Sequence, residues 1–192
     1  MTIAYRPSFP QYAALILIAG AVFWAVALVM QAATGVVATD SLVISVVAFL
    51  DVALGIWALH LVRSEASGLV GLVGTSLLSV SFLLFAGNAV AAGLAAEGRN
   101  PADPSGTTFF GFSALAGLVG ALLFAVAVHR VGLFPRWTGA AVIVGMLGTL
   151  LVAAAEVAPF VRILASLLLV ASFITMAFVV LAQFRSRPTP AA

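Results

Sequence analysis

Six long apolar stretches, separated by short polar breaks, run through almost the whole of this sequence. A helix rises about 1.5 Å per residue, so about 20 mainly apolar residues are needed to cross the roughly 30 Å hydrocarbon layer of a membrane. Each stretch reaches that length. The sequence therefore predicts an all-α, polytopic transmembrane bundle of about six helices, with spans at residues 12–33, 41–62, 67–92, 107–128, 137–158 and 160–183.

The composition excludes a water-soluble fold. Hydrophobic residues make up 64% of the chain and charged residues only 7%, whereas soluble domains carry roughly a quarter charged residues. Many apolar side chains must therefore face lipid, which makes membrane lipids expected partners. The formal charge of +2 is too small for a nucleic-acid interface, and the absence of cysteine excludes thiolate metal sites and cysteine nucleophiles.

No break between the apolar stretches is long enough to hold a second domain. The longest is the polar segment 97–104, which contains two prolines. Segments of this length and composition form loops between helices. Residues 1–192 are therefore expected to form a single integral membrane domain.

The arginines predict how the chain is oriented in the membrane. With six spans both termini lie on the same side, and most of the arginines fall on that side: Arg6, Arg63, Arg130, Arg136, Arg185 and Arg187. Arg99 and Arg162 fall on the opposite side. Because positively charged residues are enriched on the cytoplasmic side, we expect a multi-pass protein of the cell membrane with both termini in the cytoplasm.

Small and mildly polar residues recur on one face of most predicted helices. On the second span, Ala48, Asp51, Gly55 and Ala58 follow the three-and-four spacing of a helix face. The hydrophobic effect does not drive helices together inside lipid. Helices in membranes therefore associate through close contact between such faces. The pattern predicts a compact bundle, and it leaves open a homo-oligomer or a larger membrane partner.

Asp51 lies near the middle of its predicted span and hence near the centre of the bilayer. An ionised aspartate at the centre of a membrane helix costs on the order of 3 kcal/mol on insertion scales. A residue of this kind usually faces the bundle interior and marks the path of an ion, a proton or a substrate. The alternative is a protonated Asp51 that donates one hydrogen bond to a neighbouring helix.

Four further polar residues fall in the predicted outer half of the bundle, above Asp51. They are Gln31, Asn88, Ser113 and Glu156. Their depth and helical phase predict a ligand-binding cavity that opens outward.

Two of these four residues also have an interpretation that involves no ligand. Asn88 fits a hydrogen bond between helices equally well, and Glu156 fits a solvated surface residue or a partner of Arg162. Trp24 shares a helix face with Gln31 and is also a candidate for ligand binding.

His60 and His129 lie near the inner ends of their predicted spans. Two histidines on different helices are able to hold a haem or a metal ion. Histidines at the cytoplasmic ends of helices also commonly meet lipid headgroups, and His60 falls on the side of its helix opposite Asp51. We therefore expect neither a cofactor nor a bound metal, and the sequence leaves the role of the two histidines open.

Three functions fit these residues. The first is binding or translocation of a proton, a cation or a small amphipathic molecule at a polar site around Asp51. The second is an intramembrane enzyme acting on a lipid or isoprenoid, with Asp51 and Glu156 as general acid and base. The third is a non-catalytic accessory subunit of a larger membrane complex.

Overall fold

The computed structural model describes residues 9–34, 39–61, 64–96, 105–154 and 159–185. Within these ranges the chain forms α1 (Phe9–Thr34), α2 (Thr39–Leu61), α3 (Ser64–Ala96), α4 (Ser105–Val131), α5 (Arg136–Ala154) and α6 (Pro159–Arg185). Each predicted span overlaps one of these helices. The predicted all-α bundle of six helices is confirmed.

Most of the helices are long enough to cross a bilayer. In the described part of the chain, five helices have the length and apolar composition of a membrane span, and the apolar part of α5, Arg136–Leu151, is shorter. The predicted fifth span continues to residue 158, but residues 155–158 lie outside the described ranges. The helices are those of a multi-pass membrane protein, and the cytoplasmic location of the termini stays a prediction.

Two glycines with positive φ shape the ends of the helices. Gly68 lies near the start of α3 with φ 55° and ψ −155°, a conformation that glycine alone adopts readily. Gly132 follows α4 with φ 65°, and its N–H bonds the carbonyl oxygen of Val128 at 3.3 Å. These positions lie at or beside the breaks that the sequence predicts after the second and fourth spans.

The six helices pack as a closed ring in chain order. Each helix contacts its neighbours in the sequence, α6 packs against α1, and α2 touches α6 across the ring. Because consecutive helices are in contact and joined by short segments, they alternate in direction. We call the end at which α1, α3 and α5 finish the distal end, and the opposite end, where α1 begins and α6 finishes, the terminal end.

Small residues allow the helices to approach closely. A methyl group added at Gly20 of α1 would lie 2.7 Å from Cβ of Asp51 on α2, and one at Gly120 of α4 would lie 2.7 Å from the backbone nitrogen of Leu78 on α3. Both distances are too short for real carbon contacts. Such close contacts at glycines are expected for helices that associate in lipid.

Candidate functional site

A cavity of about 270 Å³ opens at the distal end of the bundle. Residues from all six helices line it, and each of them comes from the distal half of its helix. The volume is close to the lower limit of ordinary ligand pockets, which is about 300 Å³. The alternating direction of the helices brings these residues together, because the ends of α1, α3 and α5 meet the beginnings of α2, α4 and α6.

Aromatic rings line this cavity and pack directly behind its lining. We call them the aromatic cluster, and its members are Trp24, Phe49, Phe82, Phe85, Phe110 and Phe173. Phe82 is fully buried at the centre of the ring of helices and has its ring centroid 5.7 Å from those of both Trp24 and Phe173. Four of the seven ring pairs in the cluster meet edge to face, which is an arrangement that aromatic quadrupoles favour. Trp24, Phe49, Phe85 and Phe110 belong to the described lining, and Phe82 and Phe173 pack behind them.

Arg162 is the one charged side chain among the described residues that line the cavity. Its Nη2 donates a hydrogen bond of 2.6 Å to Oε1 of Gln31, which joins the beginning of α6 to the end of α1. A guanidinium group has five N–H donors, and this bond uses one of them. Because the acceptor is a neutral amide, the positive charge of Arg162 is not compensated by this contact.

Asn88 supplies a second polar group on the opposite wall. Its Nδ2 donates to Oγ of Ser113 at 3.3 Å, and the hydroxyl of Ser81 donates to the carbonyl oxygen of Ser113 at 2.6 Å. Ser113 itself is fully buried and does not contribute to the described lining. It therefore connects α3 to α4 and orients the amide of Asn88, whose Oδ1 can accept a further hydrogen bond.

The cavity brings together three of the five residues that the sequence marks for ligand binding, namely Trp24, Gln31 and Asn88. Ser113 lies behind Asn88. Asp51 is not among the described lining residues. Glu156, the other candidate acid, falls outside the described residues.

Asp51 lies at the contact between α1 and α2, beside Gly20. It is half-buried, and its helical neighbours one turn before and after, Val47 and Leu54, are 42% and 59% exposed. Phe49, two residues earlier, lines the cavity. Positions two residues apart on a helix are about 200° apart around its axis, so Asp51 is directed away from the cavity that Phe49 faces.

The two histidines lie in different surroundings. His60 is buried at the end of α2, with its Nδ1 3.0 Å from Oγ of Ser67. The Ser67 hydroxyl also lies 3.1 Å from the carbonyl oxygen of Ser64, and its single proton serves one of these two contacts at a time. His129 is exposed on α4. Among the described residues, no group of three or more histidine or acidic side chains is placed to hold a metal ion.

Several lining residues escape the sequence reasoning. The sequence suggests Arg162 as a charge on the outer side and as a partner for Glu156, and Thr149 as part of a packing face, but neither as a ligand-binding residue. Ser45 and Ser166 are not among the predicted candidates, and all four residues line the cavity. Ser166 follows Arg162 by four residues, so both share one face of α6. The four-residue spacing of Arg162 and Ser166 is the sequence signal that could have identified them, because both lie near the beginning of α6, at the distal end.

Comparison with protein-family models, with curated proteins and with solved structures finds no match to this chain. The chemistry of the site must therefore be argued from its own residues. A largely apolar and aromatic cavity with one cation and two amides at its opening can hold a small molecule that has an apolar body and a polar or anionic head.

Proposed function

We propose that this protein binds a small amphipathic molecule in the distal cavity, with an anionic head group at Arg162 and an apolar body against the aromatic cluster. The head group is a carboxylate or a phosphate, because a guanidinium binds both through paired, charge-assisted hydrogen bonds. Asn88 lies across the opening and offers a further hydrogen bond to the head group.

The observation that carries this proposal is the arrangement of Arg162 and Gln31 over an aromatic wall. The 2.6 Å bond from Arg162 to Gln31 fixes the guanidinium at the opening of the cavity. Trp24, seven residues or about two helical turns before Gln31 on α1, is only 6% exposed and lies deeper in the same cavity. A ligand therefore contacts the positive charge of Arg162 at the opening of the cavity and the aromatic rings deeper inside it.

The sign of the charge favours an anionic ligand over a cation or a proton. A cation would meet the guanidinium of Arg162, for which the described residues supply no carboxylate partner, and the described lining contains no carboxylate to attract the cation. The cavity draws its lining only from the distal halves of the helices, which supports binding from one end more than passage across the membrane. Asp51 has no part in this proposal.

The test uses Trp24 as a fluorescent reporter. Trp57 and Trp137 are replaced by phenylalanine, which leaves Trp24 as the single tryptophan, and the protein is placed in zwitterionic nanodiscs. Decanoate and decanol are then titrated as probes that share the same chain and differ in head-group charge. We expect a saturable change in Trp24 emission with both probes and tighter binding of decanoate.

The Arg162→Gln variant separates a specific site from general partitioning into lipid. We expect it to weaken decanoate binding about tenfold or more, since hydrogen bonds to charged groups contribute about 1.5–3 kcal/mol, and to change decanol binding by less than about twofold. Arg185→Gln removes the same charge at the terminal end and serves as the matched control. Equal losses for the two probes, or equal losses in the two variants, would contradict the proposal.

A further inference from the structure

A second depression lies at the terminal end of the bundle, between α4 and α5. It is an open groove of about 860 Å³, lined by the end of α4, the connecting residues 132–135 and the beginning of α5. It shares no lining residue with the distal cavity. A ligand in this groove would therefore contact none of the described residues that line the distal cavity.

Three basic side chains meet at one end of this groove. His129 and Arg130 come from the last turn of α4, Arg136 is the first residue of α5, and all three are exposed. The described lining contains no acidic side chain. Two arginines that flank one short connection without a carboxylate between them make a site for an anion.

The rest of the groove is apolar and follows the two helices into the membrane. Leu122 and Val126 of α4 are 47% and 45% exposed, and Ile143 of α5 lies opposite them. Leu122 lies eight residues before Arg130, a distance of about 12 Å along the helix axis. The groove thus joins a basic end to an apolar stretch of about 12 Å, which is close to the roughly 15 Å of one hydrocarbon leaflet.

The connection between the two arginines has a defined geometry. Gly132 ends α4 with a positive φ, and its N–H bonds the carbonyl oxygen of Val128. Thr138 then fixes the start of α5 by donating both its backbone N–H and its hydroxyl to the carbonyl oxygen of Pro135, at 3.0 and 2.7 Å. The backbone positions of Arg130 and Arg136 are therefore set before any ligand binds.

We propose that this groove binds one anionic phospholipid, with its phosphate between Arg130 and Arg136 and an acyl chain along Leu122, Val126 and Ile143. The occupant is a lipid and not a free phosphate, because the basic side chains adjoin an apolar surface. An acyl chain can cover that surface, and a free phosphate cannot. Trp137, 48% exposed next to Arg136, lies at the level where aromatic side chains favour the membrane interface.

The test measures lipid retention by native mass spectrometry of the full chain. The protein is exchanged into nanodiscs of phosphatidylcholine that contain equal small fractions of phosphatidylglycerol and phosphatidylethanolamine with the same acyl chains. We expect one phosphatidylglycerol to remain bound after release from the nanodisc. Each arginine near an anionic head group contributes about fivefold, so the Arg130→Gln/Arg136→Gln variant should lose roughly 25-fold in retention.

Two controls separate a defined site from diffuse surface charge and from loss of folding. Arg185→Gln together with Arg187→Gln removes two charges from the C-terminal segment of the chain and should leave retention within about twofold. Ala140→Phe fills the exposed apolar wall of the groove, keeps both arginines and should still lower retention. Equal retention of all three lipids, or the same loss in both arginine pairs, overturns the proposal. If glycerol phosphate displaces the bound lipid as effectively as added phosphatidylglycerol does, the groove binds a free phosphate. That result overturns the proposal as well.

Discussion

Arg162 and Gln31 are separated by 131 positions in the sequence, yet Nη2 of the first lies 2.6 Å from Oε1 of the second. This hydrogen bond joins the last helix of the ring to the first and lies at the opening of the distal cavity. An amide oxygen orients a guanidinium without neutralising it. Within the described residues, the pair therefore places a positive charge at the edge of an aromatic cavity.

Replacing Gln31 with leucine should weaken anion binding less than the loss of Arg162 does. The guanidinium would keep its charge and lose one of the contacts that fix its position, so we expect decanoate binding to weaken about threefold to fivefold. Titration followed by Trp24 emission measures this. In the Arg162→Gln background the Gln31→Leu change should have almost no further effect, and a full additive loss would mean that Gln31 acts independently of Arg162.

Gly20 should not tolerate even a single methyl group. An alanine there places Cβ 2.7 Å from Cβ of Asp51 and 2.9 Å from the carbonyl oxygen of Ala48, and two backbones must separate to relieve the overlap. Overpacking of this kind costs about 1–3 kcal/mol. We expect Gly20→Ala to lower the midpoint of thermal unfolding in detergent.

Gly87→Ala is the matched control for Gly20→Ala. Gly87 is exposed in α3, and an added Cβ there meets nothing within 4 Å. Alanine favours the helix over glycine by about 0.8–1.0 kcal/mol, so this variant should be as stable as the parent protein or more so. Similar losses in the two variants would show that the close contact between α1 and α2 does not determine the effect.

The positions of the helices could be predicted from the sequence, because span length and apolar composition are properties of each segment alone. The depth of Gln31 and Asn88 could be predicted for the same reason, since about 1.5 Å of rise per residue converts sequence position into depth. Both residues line the cavity at the distal end. The sequence also places Trp24 on the face of α1 that carries Gln31, and it lies in the same cavity.

The pairing of helices could not be predicted in the same way. Helical periodicity shows which residues share a face of one helix, but it does not show which helix that face meets. Arg162 and Gln31 come together because α6 closes the ring against α1, which is a property of the whole bundle. Asp51 shows the same difficulty, because its depth follows from the sequence while its direction relative to the cavity depends on how α2 packs against α1.

Asp51→Asn should leave ligand binding in the distal cavity unchanged within about twofold. Asp51 is directed about 200° away from Phe49, the nearest lining residue on α2, and asparagine has almost the same shape as aspartate. The measurement is again the decanoate titration with Trp24 emission, with Asp40→Asn as the control for loss of an acidic charge on the same helix. A tenfold or larger change specific to Asp51→Asn would show that the functional site extends to the middle of the bilayer.

The buried ring of Phe82 should contribute more to the stability of the bundle than an exposed apolar side chain at a similar depth in α3. Its ring is fully buried and meets those of Trp24, Phe49, Phe85 and Phe173 at centroid distances of 5.7 to 6.2 Å. Removing a buried phenylalanine costs about 3–5 kcal/mol, mainly through lost packing and the void that remains.

We therefore expect Phe82→Ala to lower the unfolding midpoint strongly, while Leu83→Ala has little effect, because Leu83 is the next residue of α3 and is 47% exposed. Thermal unfolding of both variants in the same detergent provides the comparison. Because Phe82 packs directly behind Trp24 and Phe85 of the cavity wall, its loss should also shift the emission of Trp24 in the absence of ligand. An unchanged spectrum with a lowered midpoint would mean that the cavity wall keeps its shape without the centre of the aromatic cluster.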